Sequence, residues 1–230
     1  MPYTRVQATS LGEGQPIKAS VGVALRDNLK YLTNADYSSL DYYVPLARSI
    51  TLANRVNVDV RDLHAFLIRI WGNGHHGGYI FNGGGIAPGG GAGGYVEAVL
   101  YGAPIRTLSV ANTATGWVIT GVGVYITVAH ALSGTGGGYE ATISNGRLLT
   151  GLVGGDGEYG WYNESSGQDP SQRFGGRGGS VLYSHGGQGG GSGQGVQNTL
   201  ATDGRGPGAG GGSGPQNFGL GAPGKAVIII

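Results

Sequence analysis

The sequence predicts a mainly β fold: a glycine-rich sandwich containing polyglycine II helices, edged by β-strands and preceded by a short N-terminal α-helical attachment segment. Three observations predict it. Of 51 glycines, three (Gly12, Gly14 and Gly22) precede Trp71 and 48 follow it. The glycine runs, at 72–94, 134–160 and 175–224, alternate with stretches rich in Val, Ile, Tyr and Trp. The chain ends on AVIII, an apolar run unsuited to water. A Gly/Ser linker is also glycine-rich, but it is not bracketed by β-formers at every turn.

The physical reason is steric. Glycine has no Cβ, so backbones approach closely. A polyproline II chain has three residues per turn, and its peptide groups point outward unbonded. Where every neighbour is glycine, those groups can bond from chain to chain. Collagen requires a strict Gly-X-Y period, which GGQGGGSGQG and GAGGGSG do not keep. Ordering glycine costs entropy, so a hydrophobic core must hold the edges.

In chain order, residues 1–54 form an attachment and oligomerisation segment, and 55–230 the glycine-rich domain. Residues 17–32 predict the one good helix. Ile17, Val21, Leu25, Leu29 and Leu32 recur at helical spacing, and Pro16 suits its first turn. That stripe serves either its own domain or a docking contact with a partner or another copy. Residues 36–54 suit a linking strand pair. VNVDV at 56–60 alternates like a strand. Residues 63–71 are the strongest strand: Phe66, Ile68 and Ile70 share one face, and Ala65, Leu67 and Arg69 the other. Further strands are expected at 94–101, 105–110, 117–129 and 136–144. GGYVEAVLY and GGGYEATIS form a loose repeat of glycine run followed by strand. Residues 156–174 are a polar, aromatic insert. Residues 225–230 form a closing strand, expected to pair with 63–71.

Composition excludes several functions. Charged residues are 12% of the chain and the net charge is +1, so nothing favours nucleic acid or an anionic membrane. No apolar run approaches the ~20 residues of a membrane span, and no membrane insertion is expected. The first residues lack a signal-peptide core, so synthesis in a cytoplasm is expected. There is no cysteine, hence no disulfide framework and no thiolate site.

Some motifs tempt. GNGHHG at 72–77 fits G-x-G-x-x-G, but glycine-rich sequence follows where a dinucleotide fold needs a helix. GLGAPGKA at 219–226 lacks the Ser/Thr of a P-loop and has no room for its helix. His75 and His76 have no metal-ligand spacing, and the acidic residues of 156–169 match no EF-hand. No catalytic residue, cofactor or metal is expected. Aromatic and polar side chains between glycines are the candidate binding residues: Tyr159, Trp161, Tyr162 and Arg173 on the long insert, Tyr79 and Phe81, and Tyr183 with His185. Rigid aromatics bind at low entropic cost; the competing reading is that they plug the edges of the glycine stack.

LHAFLIRIWGNGHHGG, GGGAGGYVEAVL, the later glycine block and the ending GAPGKAVIII together resemble the glycine-rich domain of bacteriophage tail and fibre proteins. The resemblance covers about residues 60–230. One departure is TLSVANTATGW, which lacks the glycines of the family's strand after the first run. The resemblance implies a virion surface protein, a tail fibre, spike or tail tip, made in the host cytoplasm and attaching to a bacterial surface receptor, a glycan or outer-membrane protein. It also implies other phage structural proteins as partners and a homo-oligomer, with a trimer favoured. A purely structural fibre joint or head decoration is the alternative, and a glycan depolymerase the third reading.

Overall fold

A computed structural model of the chain describes residues 49–54, 56–78, 87–163, 172–192 and 199–230; within 161–163, 172–173 and 191–192 only the backbone is described. Two five-stranded antiparallel sheets pack face to face. The first has the order β1 (Ser49–Thr51), β13 (Lys225–Ile229), β3 (Phe66–Trp71), β4 (Tyr95–Leu100) and β9 (Gly146–Leu152). The second has β2 (Val56–Asp59), β5 (Thr107–Asn112), β6 (Gly116–Gly121), β7 (Val124–Ala129) and β8 (Tyr139–Ile143). The chain is thus mainly β. One helical turn, α1 (Gly102–Ile105), links β4 to β5.

Alternation makes the core. Phe66, Ile68 and Ile70 of β3 point to the second sheet beside Val96 and Leu100 of β4 and Ile228 of β13. They meet Leu108, Val110, Ile119, Ile126 and Val128. The other face of β3 carries Leu67 and Arg69, half-buried. The closing strand lies where its apolar run requires, between β1 and β3, with Ile229 opposite Leu67 and Lys225 opposite Trp71.

Several elements differ from the sequence reading. Ser49–Thr51 pairs with β13, so the β unit reaches upstream of residue 55. The stretch expected as a strand from Ile105 starts instead as α1, and Arg106 turns with φ 64° before β5 begins. The 117–129 stretch is two strands folded back at Gly123, whose φ of 66° a side chain rarely adopts. β9 was not anticipated. The 156–174 insert contains β10 (Trp161–Asn163) and β11 (Gln172–Phe174), which join β12 (Gly191–Ser192) in a small third sheet. The expected helix at 17–32, with Ile17, Val21, Leu25, Leu29 and Leu32, lies outside the described residues.

The described glycine legs leave the sandwich at one end, from the strand ends at Trp71, Tyr95, Ala129, Tyr139, Leu152 and Lys225. They alternate in direction: 72–78 outward, 87–94 back, 153–160 outward, 174–181 back, 184–190 outward, 199–205 back, 208–214 outward and 217–224 back. Hydrogen-bond register fixes these directions. Gly72, His75 and Gly78 donate to the carbonyls of Gly94, Gly91 and Pro88, each at 2.9 Å, an antiparallel pairing at every third residue. Six successive N–H groups of the 87–94 leg go to three neighbours in rotation. Gly89 and Ala92 bond Glu158 and Gly155; Gly90 and Gly93 bond Gly211 and Gly208; Gly91 and Gly94 bond Leu132 and Ala129. Strands bond in a plane with period two; these legs bond on three sides with period three.

Candidate functional site

Because the legs alternate, whatever joins two of them falls at one of two ends. At the distal end the outward leg 153–160 brings up Tyr159, bridged through its backbone to Pro88 and 74% exposed. The chain continues into the β10–β11 hairpin, where Trp161 lies opposite Phe174 and Tyr162 opposite Arg173. It returns down the 174–181 leg. Tyr79 and Phe81 lie outside the described residues, but the chain enters their stretch at Gly78 and leaves it at Ala87, next to Pro88.

Ser213 braces the roots of these loops. Its buried hydroxyl donates to the Ala87 carbonyl at 2.9 Å and accepts from the Gly176 N–H at 2.7 Å. One side chain thereby ties Ala87, at the start of the 87–94 leg, to the leg descending from the hairpin. Phe218 is also near this end, 44% exposed, with its ring 6.3 Å from that of His76. Neither residue was singled out from sequence. Ser213 sits in GGGSG, where nothing marks its hydroxyl, and Phe218 is a lone aromatic in PQNFGLG.

The other end lies against the first sheet, and there the structure places Tyr183 and His185. Tyr183 adopts φ 64° in the turn between two legs. Its ring lies 6.4 Å from both Trp71 and Tyr95, and the Arg69 guanidinium sits 5.3 Å above it. Trp71 donates its indole N–H to the Leu182 carbonyl at 2.9 Å. Tyr95 is buried and donates to Glu97 at 3.0 Å, and Glu97 pairs with Arg69 at 2.9 Å. Burial, reinforced by the Glu97 carboxylate, pushes the Tyr95 phenol well above its ordinary range. His185 is bridged to Arg205 by two backbone bonds of 2.7 and 2.8 Å. Tyr183 and His185 therefore belong to the sheet end, a full leg away from Tyr159 and the hairpin. Tyr183 closes over an aromatic cluster of the sheet.

A third polar junction joins the first leg to the second sheet. His130 accepts the Asn73 N–H at Nδ1 (2.8 Å), which leaves Nε2–H to donate to Asn112 Oδ1 (2.9 Å). Burial lowers the basicity of this imidazole. Asn73 Oδ1 in turn accepts from the Gly224 N–H at 2.7 Å. Among the described residues no group of three His, Asp or Glu side chains converges as metal ligands. His75 and His76 are engaged locally: His75 Nδ1 lies 2.8 Å from the His76 carbonyl, and His76 Nδ1 accepts the Gly221 N–H at 3.1 Å. No protein-family model matches the chain, and no curated protein matches it.

Proposed function

We propose that the chain is a bacteriophage virion surface protein that attaches to a bacterial surface receptor through the loops at its distal end, with no catalytic step. The observation that carries this reading is the alternation of legs, which gathers Tyr159, the β10–β11 hairpin, Gly78 and Ala87 at one end. Recognition residues are commonly placed on loops held by a rigid scaffold. The glycine legs suit the scaffold role because their peptide groups are already committed to one another, which leaves recognition to side chains between them.

On this reading the legs are polyglycine II helices. The period-three bonding supports it, because a polyproline II chain has three residues per turn. At about 3.1 Å per residue, six residues from Gly72 to Gly78 hold the tip about 19 Å from the sheets. Sequence in the loops can then change without disturbing the core. The resemblance to glycine-rich phage tail and fibre domains points to the same arrangement, with a surface glycan or outer-membrane protein as receptor and other virion proteins behind.

Trp161→Ala tests the proposal. A central aromatic at an interface is commonly worth about 2 kcal/mol or more, roughly thirtyfold in affinity. Binding to whole host cells should weaken by about that factor while the melting temperature stays unchanged. Full binding with a lowered melting temperature would make Trp161 a structural plug. Full binding with unchanged stability, repeated for Tyr159→Ala and Arg173→Ala, would remove the tip from recognition and leave a purely structural virion role.

A further inference from the structure

We infer that β9 is an interface strand, and that its occupant is β9 of a second copy of this chain, paired antiparallel across a two-fold axis. β9 is the last strand of its sheet: β4 takes one edge, and no described strand takes the other. At seven residues it is the longest strand among the described residues. Apart from Arg147, its exposed side chains are apolar. Leu148, Leu149, Leu152 and the adjoining Val153 are 37, 48, 38 and 65% exposed. The Tyr139 ring of β8 lies over Gly151 and extends this apolar surface. The bulge opposite Glu97 and Ala98 leaves Leu149 as the extra residue of the pairing.

The other three sandwich edges are shorter than β9, and two of them carry a carboxylate. β1 has three residues. β2 ends on Asp59, ion-paired with Arg61 at 2.9 Å. β8 carries Glu140, exposed. Short length and edge charge are how sheets avoid pairing with other chains, and a long apolar edge invites it.

The occupant follows from the strand itself. Antiparallel pairing of two identical strands is self-complementary about a two-fold. Overlapping all seven residues sets Leu149 against Leu149 of the second copy. Arg147, the one charged residue of β9, then faces Gly151 of the second copy rather than another arginine. The two first sheets become one ten-stranded sheet. This pairing closes at two copies, where the sequence reading favours three.

Sedimentation velocity of the full chain over a concentration series tests it. The wild type should show a dimer mass. The double variant Leu149→Lys, Val153→Lys, which alters exposed positions only, should show a monomer mass with unchanged far-UV circular dichroism. Should that variant unfold, a second one decides. The chain has no cysteine, so Leu149→Cys should form a disulfide-linked dimer on oxidation, well above the level reached by Leu182→Cys on an exposed turn. A wild type that is monomeric or trimeric at every concentration, a folded double variant of unchanged mass, or equal cross-linking at 149 and 182 would overturn the inference.

Discussion

Gly90→Ala is the sharpest probe of the glycine legs. A methyl group on Gly90 would collide with the carbonyl oxygen of His75 and lie 2.7 Å from that of His76. The obstacle is backbone, and that backbone is held. The His75 carbonyl accepts from the Gly211 N–H at 3.0 Å, and its N–H donates to Gly91 at 2.9 Å. Gly90 cannot retreat either, because it donates to Gly211 and accepts from Gly179, both at 2.8 Å. Overpacking costs about 1–3 kcal/mol where neighbours can shift. Parting the legs here also breaks two hydrogen bonds at about 1 kcal/mol each. The sum is about 4 kcal/mol, which for a chain of this size lowers the melting temperature by about 8–16 °C. Gly138→Ala is the matched control, since its added methyl meets nothing within 4 Å. It should be neutral, or stabilising by about 0.4–1 kcal/mol through the unfolded chain. Thermal unfolding followed by circular dichroism reads both. Equal melting temperatures for the two variants would show that the legs are loosely packed and would refute the close-contact argument.

Two further outcomes follow from the core and the polar junction. Ile228 is 1% exposed and lies between Ile50 and Ile68 in the sheet, so Ile228→Ala should cost about 2–5 kcal/mol in chemical denaturation, whereas the neighbouring exposed Ile230→Ala should change stability by less than about 0.5 kcal/mol. His130 has its basicity lowered by burial, so the folded state binds a proton less readily than the unfolded chain. Its contribution is therefore complete above the unfolded value of 6.5 and is lost progressively as pH falls from there through the lower folded value. The loss is physical, because a protonated Nδ1 would point a hydrogen at the Asn73 N–H. Stability measured against pH should show this acid-side step, and His130→Gln should lack it; an identical step in the variant would assign it to another group.

Much of the β framework was legible in the sequence. Of the 63–71 stretch, Phe66–Trp71 is the strand, and it alternates from Phe66 to Ile70 because one face meets the second sheet; the terminal AVIII can be buried only by pairing within a sheet. The hairpin turn at Gly123 and the strand β9 were not legible. In β9 the period-two pattern is broken by adjacent leucines, and the break is the bulge at Leu149, which only the pairing with β4 reveals. The candidate loops were legible as aromatic interruptions of glycine, but their grouping was not. Tyr159 and Tyr183 look alike in sequence, yet one stands at the tip and the other covers Trp71 at the sheet end.

By itself the sequence determined that these legs contain little but glycine, which is the condition for backbones to touch on three sides. It also determined which apolar stretches must be buried. The partner of each leg was decided by the tertiary structure alone, because glycines are interchangeable and carry no side chain to specify a neighbour. Register came instead from the few residues that do: Ser213 joining Ala87 to Gly176, Asn217 clasping both the N–H and the carbonyl of Ala201, and His130 receiving Asn73 from 57 residues away. Those contacts fix which legs run beside which, and so which loops share the tip.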